Sequence, residues 1–207
     1  MIKTLINTAS KPIATFVFAH GAGAGQNSEF MQLIAQGLSH NHNINVLRFN
    51  FAYMQLSEDL GKRRPPERAD KLLSQFQSVL NQVDESMPVF LGGKSMGGRM
   101  ASMLLEESNA LGCICMGYPF HPPGKPEKLR TQHLQDIHKP LLILQGERDT
   151  FGTRNEIDSY NLCTNIAVSY LTDGDHSFKP RKASGVTLKT NIDVAIKRTA
   201  DFIKSNI

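Results

Sequence analysis

An alternation of chain types constrains the fold of this sequence more than anything else in it. Apolar, strand-like runs fall at 14–19, 44–49, 88–92, 110–117, 140–145 and 166–172, with a weaker one at 2–8. Helical periodicity fills the gaps. Ser28 is a fitting N-cap for a stretch with apolar positions three and four apart, and residues 67–83 carry a stripe of Ala69, Leu72, Leu73, Phe76, Val79 and Leu80. Further helical stretches are expected at 96–107, 153–163 and 189–205. Strands regularly separated by helices pair in parallel and need helices on both faces. The expectation is an α/β fold with a mostly parallel central sheet, in a single domain over residues 1–207. A chain of 207 residues buries about 70 % of its unfolded surface, so there is minimal room for a lid, or none.

The third strong run, Pro88-Val89-Phe90-Leu91, leads into Gly92-Gly93-Lys94-Ser95-Met96-Gly97-Gly98. Within it, Gly93 to Gly97 is a G-x-S-x-G pentapeptide between strand and helix, the context of a nucleophile elbow. The chain turns sharply there, the central residue is strained, and small neighbours let backbone segments cross without a Cβ clash. Ser95 is therefore the candidate nucleophile.

A serine hydroxyl needs a base, and the base needs an orienting acid. The run at 140–144 leads into Gln145-Gly146-Glu147-Arg148-Asp149, and the run at 166–171 leads into Thr172-Asp173-Gly174-Asp175-His176. Both candidates thus lie just past a strand end, where an open α/β sheet places its site. His176 is the candidate base and Asp149 the candidate acid, with Glu147 and Asp173 as alternatives. Upstream, the strand at 14–19 runs into His20-Gly21-Ala22-Gly23-Ala24-Gly25. Such a turn can aim backbone N–H groups at an oxyanion, from about 3 Å. The expected donors are the N–H groups of Met96 and Ala22, with Gly21 or Gly23 as register alternatives. His20 is expected to brace this turn.

The His-Gly-Ala-Gly-Ala-Gly turn, the Gly-Lys-Ser-Met-Gly-Gly-Arg elbow and the Gly117-Tyr118-Pro119-Phe120-His121-Pro122-Pro123 segment resemble those of the α/β-hydrolase superfamily. The likeness is to its small dienelactone-hydrolase-like group, in a branch with testis-expressed and chromatin-complex-subunit hydrolase-like domains. It spans about Phe16 to Ile203. Dienelactone hydrolases proper carry Cys as nucleophile, where this chain has Ser95. The resemblance implies an α/β-hydrolase fold and cleavage of an ester or thioester through an acyl-enzyme. Such a reaction needs no cofactor and no metal, and its partner is a small-molecule acyl substrate. The alternatives are a hydrolase of another bond (peptide or C–C) and a non-catalytic interaction module on the same fold.

Two irregular stretches, 50–66 and 118–137, should emerge on the site's side of the sheet. Their aromatics Phe51, Tyr53, Tyr118 and Phe120, with His121, are candidate substrate walls; the other reading has the aromatics covering the sheet edge. Arg99, one turn beyond Ser95, is expected either to pair with a carboxylate beneath the site or to touch substrate. The cluster Lys62-Arg63-Arg64-Pro65-Pro66-Glu67-Arg68 reads as a solvated loop, an anion-binding lip or a nucleic-acid patch. A net charge of +4 gives no nucleic-acid signal by itself. Gly93-Lys94-Ser95 resembles the tail of a phosphate-binding loop, but Pro88 stands where that motif needs glycine. The glycines of 21–25 miss the dinucleotide spacing at Gln26. The histidines show no H-E-x-x-H spacing, and Cys113 and Cys115 alternate along one strand as reduced core residues. No run approaches the ~18 apolar residues of a membrane span. The N-terminus lacks a secretory signal, so the expected location is cytoplasmic.

Overall fold

The apolar runs become the strands β1 (Thr4–Asn7), β2 (Ala14–Ala19), β3 (Ile44–Phe49), β4 (Val89–Lys94), β5 (Gly112–Met116), β6 (Leu141–Gly146) and β7 (Ile166–Leu171). They form one sheet in the order β1-β3-β2-β4-β5-β6-β7, parallel throughout except for β1, which pairs antiparallel with β3 at the edge. The computed structural model describes residues 2–84 and 86–207. Met1 and Glu85, which fall inside the expected domain 1–207, lie outside the described residues.

Helices cover both faces, as parallel pairing demands. Strand β2 shows the sorting: Ala14, Phe16 and Phe18 join the core beneath α1 (Glu29–His42) and α6 (Leu188–Lys204), while Val17 and Ala19 join the core on the opposite face. That second core is closed by α2 (Ala52–Asp59), α3 (Ala69–Leu80) and α4 (Met96–Leu104). The period of two in burial follows from side chains leaving a strand on alternate sides. In β5, Cys113 and Cys115 face one core and Ile114 and Met116 the other. Both thiols are buried and reduced.

Two expected elements differ. The stretch 50–66 contains a helix, α2, whose weakly amphipathic sequence hides beside the basic, proline-rich run that follows it. The helix expected over 153–163 is the single turn α5 (Arg154–Ile157), closed at its start by a capping box between Thr153 and Glu156.

The strand order places the site. From β2 the chain moves outward to β3, crosses back past β2 to β4, and then proceeds strand by strand to β7. The direction of winding reverses between β2 and β4, and the carboxyl ends of the two strands lie side by side, with Ala19 paired to Gly93. An open α/β sheet has its natural crevice at such a switch point.

Candidate active site

Ser95 stands between β4 and α4 with φ 51° and ψ −114°, a conformation that a residue with a side chain adopts only under constraint. The constraint is the crossing of backbones around it. A Cβ on Gly97 would come 2.5 Å from the carbonyl oxygen of Ala19 and 2.6 Å from that of His20. Glycine therefore lets the start of α4 press against the end of β2. The Ser95 N–H donates to the Met116 carbonyl at 2.9 Å, which pins the elbow to β5.

Three strand ends converge on one hydrogen-bonded line. His176 Nε2 lies 2.9 Å from Ser95 Oγ, and His176 Nδ1 lies 2.8 Å from Asp149 Oδ2. A carboxylate only accepts, so Nδ1 carries the proton and Nε2 presents a lone pair to the serine hydroxyl. Asp149 is 0 % exposed and the side chain of His176 is 25 % exposed. Burial of a carboxylate requires compensation, and Asp149 has it: the Phe151 N–H donates to Oδ1 at 2.9 Å, and Gln145 Nε2 donates to Oδ2 at 2.9 Å.

The alternative acids are engaged elsewhere. Glu147 pairs with Arg154 and accepts the Asp173 N–H. Asp173 pairs with Arg148 and Arg181. Asp175 accepts the N–H groups of Ser177 and Lys179, shaping the loop that carries His176.

The upstream turn faces this line across a cleft of about 350 Å³, lined by Gly21, Ala22, Gly23 and Ala24 on one side and by Ser95, Phe151, His176 and Ser177 on the other. His20 does brace the turn. Its Nε2 accepts the Phe51 N–H at 3.0 Å, so Nδ1 carries the proton and donates to the Gly21 carbonyl at 2.6 Å. Burial pushes its pKa down to about 4 and keeps it neutral. The N–H groups of Ala22 and Met96 have no hydrogen-bond partner among the described residues. For Met96 this follows from its place at the first position of α4, where no intrahelical acceptor exists.

The expected substrate walls need correction. Phe51, Tyr118 and Phe120 are 0 % exposed and His121 is 3 % exposed, and none of them lines the cleft. Phe51 packs between Phe49 and Phe76 under α3. Tyr118 stacks edge-on against Phe120, which continues to Tyr160, and donates from its hydroxyl to the Arg130 carbonyl. His121 turns its Nε2 to Glu156 at 3.5 Å. These side chains complete the core at the sheet edge because their loops fold back beneath it. Tyr53 is also buried, and its hydroxyl reaches the Ala22 carbonyl at 3.2 Å, so it supports the turn from below. Arg99 pairs with no carboxylate among the described residues; its positive charge acts on Arg130 and His133. The basic loop borders a second groove, where Arg63, Arg64, Pro65 and Pro66 face Ala22 and Gly23.

Four side chains at the site carried no signal that singled them out. Phe30 and Met31, from the start of α1, form the apolar wall of the cleft. Phe151 lies against the imidazole of His176, ring centroids 4.3 Å apart. Gln145, the penultimate residue of β6, is fully buried and accepts the Tyr118 N–H at 2.7 Å while its amide nitrogen serves Asp149.

A family model described as an alpha/beta hydrolase domain matches residues 12–204. The chain belongs to the alpha/beta hydrolase family. Solved structures agree on the fold. A dienelactone hydrolase from Anabaena variabilis superposes with a TM-score of 0.75 at 17 % identity, covering 100 % of this chain and 92 % of that one. A serine hydrolase homologue from Coxiella burnetii gives 0.71 at 14 % identity, over 99 % of this chain and 90 % of its own. A serine hydrolase without lid from Xanthomonas campestris gives 0.70 at 16 %, over 96 % and 87 %. In this alpha/beta hydrolase as well, the cleft beside Ser95 opens without a covering domain, since every described helix packs on a face of the sheet or closes one of its loops.

Proposed function

We propose that this protein is a serine hydrolase that cleaves small esters or thioesters through an acyl-enzyme. One observation carries the reading: a strained serine on an elbow, an imidazole and a buried carboxylate share one hydrogen-bonded line that opens onto a cleft.

The chemistry follows from the donors and acceptors. Ser95 Oγ attacks the acyl carbon and its proton passes to His176 Nε2. The imidazolium so formed keeps its Nδ1–H on Asp149, which stabilises the charge and prevents the ring from turning. Negative charge grows on the carbonyl oxygen, and the N–H groups of Ala22 and Met96, with the positive end of α4 behind them, are the groups to receive it. Collapse of the tetrahedral intermediate breaks the bond to the leaving group, which takes the proton from Nε2. Water then attacks the acyl-enzyme by the same route and releases Ser95. The apolar wall of Phe30 and Met31 and the size of the cleft favour short acyl groups.

A fluorophosphonate probe tests this directly. Wild type should be labelled and Ser95→Ala should not, and wild type should hydrolyse p-nitrophenyl acetate or butyrate. Well-folded wild type that neither reacts with the probe nor turns over esters and thioesters would instead indicate an interaction module.

A further inference from the structure

Lys94 is the last residue of β4, covalently next to Ser95, and only 9 % exposed. A buried ammonium is costly unless something engages it, yet Lys94 has no ion pair with a carboxylate among the described residues. Its side chain runs past Gly21 and ends between the rings of Phe30 and Phe178, 5.3 and 5.7 Å from Nζ. There Nζ donates to one acceptor, the backbone carbonyl oxygen of His176. The surroundings leave room for it. Gly117 has φ +65°, and a Cβ there would come 2.6 Å from Nζ and 2.8 Å from that same carbonyl.

Two adjacent residues at one strand end therefore hold His176 from both sides. Ser95 meets the imidazole and Lys94 meets the backbone, so the separation of hydroxyl and ring is fixed by a span of two residues. We propose that Lys94 is a positioning residue: its ammonium clamps the backbone of His176 and so keeps the ring in line with Ser95 and Asp149. The inference rests on His176 being the general base of the proposed hydrolase. A charge-assisted hydrogen bond is about twice as strong as a neutral one, and the attraction to the two rings exists only for the cation. The clamp therefore weakens when Lys94 loses its proton. Burial pushes that pKa down to about 8, opposed by Asp149 and Asp175, the charged groups that face Lys94 from the loops after β6 and β7.

The test compares wild type with Lys94→Met, a substitution close in length that removes the charge. Two-bond ¹H–¹⁵N spectra of labelled histidine report the tautomer of His176, and kcat/KM for p-nitrophenyl acetate, corrected for uncatalysed hydrolysis, is followed from pH 6 to 9.5. Wild type should hold predominantly the Nδ1–H tautomer at pH 7 and lose both tautomer purity and kcat/KM as pH rises through about 8. Lys94→Met should show mixed tautomers at every pH, a kcat lowered about 10- to 100-fold with KM little changed, and no inflection near pH 8. Retention of both the pure tautomer and the alkaline decline in Lys94→Met would overturn the proposal. Wild type inert toward every ester would defeat the hydrolase reading, while the tautomer comparison would still decide the clamp. Should Lys94→Met fail to fold, Lys94→Gln takes its place, and a pure Nδ1–H tautomer with an unchanged kcat in that variant refutes the clamp.

Discussion

Replacing Asp149 by asparagine keeps the shape of the site and changes what the imidazole can do. The outcome turns on which way the new amide points. In one orientation its oxygen accepts from Gln145 and His176, and its NH₂ is pushed against the Phe151 N–H, which has no other acceptor. In the other, the oxygen keeps the Phe151 N–H and the NH₂ faces Gln145 and His176. Gln145 tolerates that arrangement, because the carbonyls of Tyr118 and Gly152 lie 3.2 Å from its amide nitrogen and can take its two hydrogens. A backbone donor left unpaired in a buried site costs about 1–3 kcal/mol, so the second orientation wins. His176 Nδ1 must then accept from the new amide, and its proton moves to Nε2. Ser95 Oγ now faces an N–H where it needs a lone pair. The expected loss in kcat is about 10⁴-fold, or about 5 kcal/mol of transition-state stabilisation. Thermal unfolding should shift little, since most of the hydrogen bonds survive. Ester turnover and the rate of fluorophosphonate labelling, measured beside circular-dichroism melts, provide the assay. A loss of less than tenfold with intact folding would show that Asp149 does not set the tautomer.

Gly97→Ala should cost about 1–3 kcal/mol and slow labelling of Ser95 at least tenfold, because its Cβ forces the end of β2, and with it the glycine-rich turn that follows, away from α4. Gly23→Ala is the control: a Cβ there meets nothing within 4 Å, so stability should stay within about 0.5 kcal/mol; equal damage from both would void the crossing argument. Stability against urea should fall as pH drops from about 6.5 towards 4. Burial holds His20 down at about 4 and, with the charge of Arg99, His133 as well, so the unfolded chain takes up protons that the native state refuses. His20, fully buried, accounts for about 3 kcal/mol of this; a flat profile between pH 7 and 4.5 would contradict it. Lys94 has the same sign in a higher window, so its contribution to stability rises from about pH 8 towards 10.5 while activity declines.

The residues readable from sequence share one property: their roles depend on neighbours within a few positions. The elbow is a local crossing, so Gly93, Ser95 and Gly97 announce it together. Asp149 and His176 each sit a few residues past an apolar run, and a parallel sheet delivers all its carboxyl ends to one edge, which is why residues 81 and 27 positions apart can be paired in advance. The aromatics of 50–66 and 118–137 fail on the same criterion. Whether Phe51 or Tyr118 lines a cleft or fills a core depends on which face of the sheet its loop folds beneath, and an irregular loop has no period from which to read that. Gln145 looks like any polar strand terminus until Tyr118, 27 positions upstream, and the turn through Asp149 and Gly152 close around it and use all of its amide. Lys94 reads in sequence as half of a failed phosphate motif, because its actual partner, the carbonyl of His176, is 82 positions away. A motif therefore identifies the candidate reacting atoms, while the groups that hold them in line come from wherever the topology brings the chain back.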